Sequence, residues 1–201
     1  MQHLFERRLE STEVFRGRLL HAFCDAVELH DGISATREYV VHPGAVMVIP
    51  LLEQPSGQTE LVLERQFRYP IQQVVIEFPA GKVDPGEASL TCAMRELREE
   101  TGYVAAQWAY AGCLHPIVAY STERIDLWFA RGLTLGERAL DHGESLDVFT
   151  STLAELLNWC RNGTVTDAKT LTAALWLQNV QSGAWTLEWS APPALLPETS
   201  P

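Results

Sequence analysis

Cysteine is scarce and unpaired: Cys24, Cys92, Cys113 and Cys160 are scattered along the chain, with no CxxC spacing. That pattern excludes the common zinc and redox motifs. It implies reduced thiols, mostly buried filler, in a cytoplasmic protein. Long apolar runs are missing too. The most apolar window, residues 46–52, falls far short of the roughly 20 residues that a bilayer-spanning helix needs. Met1 to Arg8 hold no apolar core of signal-peptide length, so the expectation is a soluble protein without a membrane partner. Basic charge is short as well: 15 Lys and Arg stand against 26 Asp and Glu, a net −11. Such a surface repels phosphate backbones, which argues against nucleic acid as a partner. A phosphorylated small molecule stays open, provided a divalent cation mediates the contact. The chain has no internal repeat and no low-complexity tract.

What is present is an ordinary globular composition. With 201 residues, 46% of them apolar, and a mean hydropathy of −0.05, the chain can build one packed domain with a small appendage. The first half is punctuated by Gly17, Asp31-Gly32 and His42-Pro43-Gly44. Between them the runs 14–20, 26–29, 37–41 and 45–52 read as strands. Residues 54–58 form a polar turn, 60–66 the returning strand of a hairpin, and 72–78 a further apolar run. From Glu87 to Thr101 there is neither proline nor glycine, and Ala88, Leu90, Thr91, Met94, Leu97 and Thr101 recur at helical spacing. Gly102 stops that helix. Residues 108–114 and 125–130 read as strands. Thr152-Leu-Ala-Glu155 is a capping box opening a helix that ends near Gly163. A last helix covers 167–180, with Leu171, Ala174, Leu175 and Leu177 facing inward. The tail from Trp185 carries four prolines and reads as irregular. This order of elements predicts an α+β or α/β/α layered domain.

The chemistry concentrates in residues 81–103. A loop with two glycines, Gly81 and Gly86, feeds the helix that carries Glu96, Glu99 and Glu100. Those positions are related by i+3 and i+4, so their carboxylates project from one face. Like charges at that spacing repel unless a cation sits among them. Hard oxygen donors suit Mg²⁺ or Mn²⁺, and magnesium shares its coordination readily with substrate phosphates. On its own, a glutamate-rich helix face is more often simply solvated.

The flanking residues change that balance. The segment resembles the Nudix box, G-x5-E-x7-R-E-U-x-E-E-x-G-U, where U is bulky and apolar. Gly81, Glu87, Arg95, Glu96, Leu97, Glu99, Glu100 and Gly102 match every fixed position, with Tyr103 at the final U. At average residue frequencies a chance match is roughly one in ten million. The resemblance implies a Nudix α/β/α sandwich that hydrolyses a diphosphate with a divalent metal. It assigns Glu96, Glu99, Glu100 and the Ala80 carbonyl to metal, Glu99 and Glu100 to catalysis, and Glu87 and Arg95 to orienting the catalytic helix.

Three features beside the box narrow the substrate. Residues 77–82 resemble the E-x-P-A-G-K lead-in of ADP-ribose pyrophosphatase-like members. Residues 63–70 resemble their R-Q-x-R segment, in which the arginine matching Arg68 reaches a substrate phosphate; guanidinium suits that task by bidentate hydrogen bonding. The β-rich residues 1–43 resemble the extension with which this subgroup forms a homodimer and completes an adenine site. Arg37 is a substrate-binding candidate there, and Phe15, Phe23, Tyr39 or Trp108 could stack on a base. The division implied is an extension at 1–43, a hydrolase domain at 44–184 and the tail at 185–201. A proline typical of ADP-ribose-specific members is displaced, with Pro116 early and Val118-Ala119 in its place. The substrate implied is thus ADP-ribose, another nucleoside diphosphate sugar, or a different nucleoside diphosphate derivative. The acid-rich stretch 140–147 matches a loop that supplies the general base. Glu144 is the first candidate, ahead of Asp141 and His142. The alternatives are a non-catalytic nucleotide-binding module on the same fold and a nucleoside-triphosphate hydrolase of the same family.

Overall fold

Strand signals in the first 44 residues give a small antiparallel sheet. In the computed structural model, which describes residues 1–140 and 145–192, β1 spans Arg7–Arg16, β2 His21–Glu28 and β3 Ser34–Val41. They pair in the order β1-β2-β3. Gly32, at φ 81°, supplies the left-handed residue between β2 and β3. β1 begins earlier than the expected 14–20, and residues 17–20 form a turn closed by the Gly17 amide on the Leu20 carbonyl (2.8 Å). The reason for the miss is physical. Every residue of β1 is exposed, so it carries no alternation to read. Asp25, buried on β2, accepts from Ser11 Oγ (2.6 Å) and Tyr39 Oη (3.1 Å), which ties the strands together. This sheet, as Met1–Gly44, forms one compact unit with His115–Ile125.

The second unit contains Ala45–Leu114 and the chain from Asp126 onward. Its strands are β4 (Ala45–Glu53), β5 (Thr59–Arg68), β6 (Gln73–Glu77), β7 (Ala80–Lys82), β8 (Tyr103–Leu114), β9 (Ile125–Leu135) and β10 (Leu146–Ser151). The sheet order is β10-β5-β4-β9-β8, with β6 also on β5 and β7 also on β4. Pro50 explains how β4 serves several partners. Residues 45–47 pair with β7 and residues 51–53 with β5, and Pro50, which has no N–H to donate, lies between the two ladders. The expected hairpin turn at 54–58 is present, closed by the Gln54 amide on the Gln58 carbonyl.

Among the described residues, three α-helices accompany this sheet: α1 (Ser89–Glu96), α2 (Leu153–Asn162) and α3 (Ala168–Gln181). Leu97, Cys92 and Ala93 are buried with Val46, Val48, Trp108 and Ala130 in the core beneath α1. The helix expected at 87–101 is shorter and changes character. Glu87 stays outside it, because its carboxylate accepts the Asp84 amide (3.1 Å) and closes the preceding turn. After Glu96 the backbone widens into a π-turn at Leu97–Thr101, ended by Gly102 in the left-handed region. Such widened turns recur at functional sites. The Thr152–Glu155 capping box opens α2 as read. On α3, Asp167 accepts the Thr170 amide as N-cap. Leu171 and Leu175 are exposed, against the inward expectation. Thr170, Ala173, Ala174 and Leu177 take that face, where small side chains let the helix approach closely.

Two further expectations are corrected. Leu146 and Asp147 belong to β10, not to a loop. Only Cys92 is a buried thiol; Cys113 is exposed, and Cys24 and Cys160 lie between. The tail at 185–192 is irregular but pinned, since Ser190 exchanges two backbone bonds with Trp108 (2.9 Å each). No described helix is long and apolar enough to cross a membrane.

Candidate active site

Antiparallel pairing of β7 with β4 lays Gly81 opposite Val46 and holds the strand beside the π-turn. Glycine at that position leaves room for a carboxylate. A Cβ on residue 81 would fall 1.8 Å from Glu96 Oε1, in space the carboxylate already fills. One residue earlier, the Ala80 amide donates to Glu100 Oε2 at 2.9 Å. Glu100 is 3% exposed, an inward anion anchored to the backbone of β7.

Arg95 gathers the remaining carboxylates. Its Nε and Nη2 donate to the two oxygens of Glu87 (3.0 and 2.9 Å), a side-on bidentate pair. Its Nη1 donates to Glu96 Oε1 (2.8 Å) and Glu99 Oε2 (3.0 Å), and Nη2 also reaches the Lys82 carbonyl (3.1 Å). Arg95 beside Glu87 holds that carboxyl below the usual range, and the carboxylates around Arg95 raise its guanidinium pKa further. Burial pushes the Cys92 thiol well up, so it stays protonated packing.

The donor chemistry suits a hard cation: Glu96 at the end of α1, over the glycine cradle, and Glu99 and Glu100 in the widened turn that follows. As the side chains stand, Arg95 engages two of the three. Among the described residues no group of three or more His, Cys, Asp or Glu side chains converges to hold a metal ion.

Arg68, at the end of β5, is bound side-on by Glu77, with Nε to Oε1 at 2.6 Å and Nη2 to Oε2 at 2.9 Å. Sequence reasoning missed this partner, although both residues lie in motifs it singled out. It also missed Lys169, taken only as part of a helix-capping segment. Lys169 is buried and pairs with Glu77 Oε2 and with Asp167 Oδ1, the latter at 3.1 Å. Burial pushes Glu77 up, but Arg68 and Lys169 outweigh it and leave the carboxyl below its ordinary value. The available signal was a lysine two residues after an N-capping aspartate, on the buried face of α3.

Arg37 lies in the N-terminal sheet, paired with Glu6. Tyr39 stacks on Phe23 within that sheet (centroids 5.8 Å), and Trp108 is core. Glu144, with Asp141 and His142, lies outside the described residues.

Comparison with known proteins identifies the family. Residues 41–173 match the family described as NUDIX domain. The chain is 37% identical over 181 residues to a methanol dehydrogenase activator of Bacillus methanolicus, covering 89% of this chain and 96% of that one. It is 33% identical over 180 residues to an ADP-ribose pyrophosphatase of Bacillus subtilis (strain 168), covering 89% and 95%. A solved structure of an ADP compounds hydrolase superposes with a TM-score of 0.79 at 23% identity, over 89% of this chain and 95% of that one. That likeness shows the fold: a mixed sheet with helices, of the α/β class expected. With box, glycine cradle and family match in agreement, the chain belongs to the NUDIX domain family.

Proposed function

We propose that this protein is a metal-dependent pyrophosphohydrolase acting on ADP-ribose or a related nucleoside diphosphate sugar, releasing a nucleoside monophosphate and a sugar phosphate. The observation that carries the reading is the convergence of Glu87, Glu96 and Glu99 on Arg95 beside Glu100 and the Gly81 cradle. Similarity over most of its length to a relative named ADP-ribose pyrophosphatase supports the substrate class.

Glu96, Glu99, Glu100 and the Ala80 carbonyl would hold Mg²⁺, or Mn²⁺ in its place. Such a cation, when bound, polarises phosphoryl oxygens and acidifies the attacking water. The protein's own groups do the positioning. Glu87 and Arg95 fix the glutamate-bearing turn, and Arg68 receives a phosphate oxygen. Glu99 and Glu100 serve the reacting water, with Glu144 as general base. Residues 1–43 form a homodimerising extension through which Arg37 would reach a substrate, residues 44–184 the hydrolase domain and 185–201 a tail; the protein acts in the cytoplasm.

The test is turnover of a diphosphate panel by purified protein with Mg²⁺ in H₂¹⁸O, with products read by mass spectrometry. ADP-ribose is expected to yield AMP and ribose phosphate, with label on one product showing which phosphorus is attacked. Glu100→Gln is expected to lower kcat by about a hundredfold or more while the circular dichroism spectrum stays native. A panel left untouched by protein that still binds metal overturns the proposal. ADP-ribose binding by calorimetry without any product would favour a non-catalytic nucleotide-binding module instead.

A further inference from the structure

Lys169 lies in the first turn of α3, 9% exposed, far in sequence from the glutamates of the box. Its ammonium contacts Glu77 Oε2, the oxygen that also accepts from Arg68 Nη2. Glu77 closes β6 and is the register partner of Glu64 on β5, and both side chains are fully buried. Direct cross-strand partners project from the same face of a sheet, so two buried acidic residues lie side by side.

Lys169 adds a second cation to this acidic neighbourhood, which Asp167 also faces. A single arginine facing Glu64 and Glu77 would be drawn in as their shared counter-ion, with little attraction left for a third anion. The arrangement avoids this. Arg68 binds Glu77 with its Nε–Nη2 edge only, and its side chain is 40% exposed where that of Glu77 is 2%. A guanidinium has five N–H donors in one plane, so the Nη1 edge, turned away from Glu77, stays suited to another oxygen. The anchor behind the pair is rigid. Asp167 caps α3 through the Thr170 amide (2.9 Å), Thr170 Oγ1 accepts from the Phe78 amide (3.3 Å), and Lys169 bridges Asp167 to Glu77.

We propose that Lys169 is a positioning residue for substrate: by sharing the Glu77 carboxylate, it holds the Arg68 guanidinium with its second edge turned out toward the diphosphate. This rests on the reading of the protein as a nucleoside diphosphate sugar hydrolase, in which Arg68 meets a phosphate oxygen. Lys169 touches no substrate itself. Its loss weakens substrate capture and spares the chemical step.

The test is steady-state hydrolysis of ADP-ribose with Mg²⁺ by the full chain, wild type against K169M, K169R, R68A and the R68A/K169M pair. K169M is expected to raise KM about tenfold with kcat within about threefold of wild type. K169R, which keeps the charge, stays near wild type. In the R68A background K169M adds nothing to KM, because the lysine acts only through that arginine. If K169M does not fold, K169Q reads the same split, since its amide still donates to Glu77 without the charge. An unchanged KM in a folded charge-removing variant overturns the proposal. So does a KM effect that persists undiminished without Arg68. Wild-type protein that leaves ADP-ribose intact refutes the underlying substrate reading instead, which separates the two failures.

Discussion

At the scale of single residues, Gly81 has the sharpest consequence. Its backbone is not left-handed, so alanine is admissible as backbone, and the three atoms nearest an added Cβ all belong to the Glu96 carboxylate. The clashing atoms are the far end of a flexible side chain, which can swing away at small cost to folding. Gly81→Ala is therefore expected to melt within about 2 °C of wild type. Its kcat/KM is expected to fall by about a hundredfold, because the displaced carboxylate is one of those proposed to hold the metal. Calorimetric melting beside steady-state kinetics checks both halves, and a large drop in melting temperature with normal activity would contradict them. Arg95 was legible only in part. Its box position marks it as an orienting residue, whereas its simultaneous hold on Glu87, Glu96 and Glu99 depends on a turn that follows α1.

At the scale of elements, local signals with a hydrogen-bonding logic of their own were the easiest to read. The capping box of α2 is one: Thr152 Oγ1 accepts the Glu155 amide (3.2 Å), and Glu155 Oε2 accepts the Thr152 amide (3.0 Å). Thr152→Ala is expected to cost about 1 kcal/mol, a shift of roughly 2–4 °C, with activity unchanged. Differential scanning calorimetry measures it. Elements set by tertiary context were not legible. The three residues of β7 look like a turn in sequence and become a strand only because β4 offers them a ladder. β1 is exposed at every position, and β10 is short and mixed in character. Leu171 and Leu175 misled because leucine at helical spacing usually marks the buried stripe. Here small residues were selected for that face. The Arg68–Glu77–Lys169 cluster spans three elements, so no single window of sequence contains it.

At the scale of the whole molecule, the net charge of −11 makes a divalent cation the natural mediator for an anionic substrate. The N-terminal sheet raises a separate matter. Leu9, Val14 and Phe15 on β1 are all exposed, which fits the homodimer proposed for this extension. A homodimer through this sheet is expected in sedimentation equilibrium, and Leu9→Ser with Phe15→Ser should dissociate it. A wild-type monomer at tens of micromolar would refute it. β1 is also the outermost strand of its sheet, with one row of amides and carbonyls left bare. Two register irregularities, between Arg8 and Glu10 and between Glu13 and Phe15, and the charges of Arg7, Arg8, Glu10, Glu13 and Arg16 interrupt that row. Such irregularities and charges oppose the pairing of further strands at a sheet margin. An edge interrupted in this way disfavours open-ended growth into fibres.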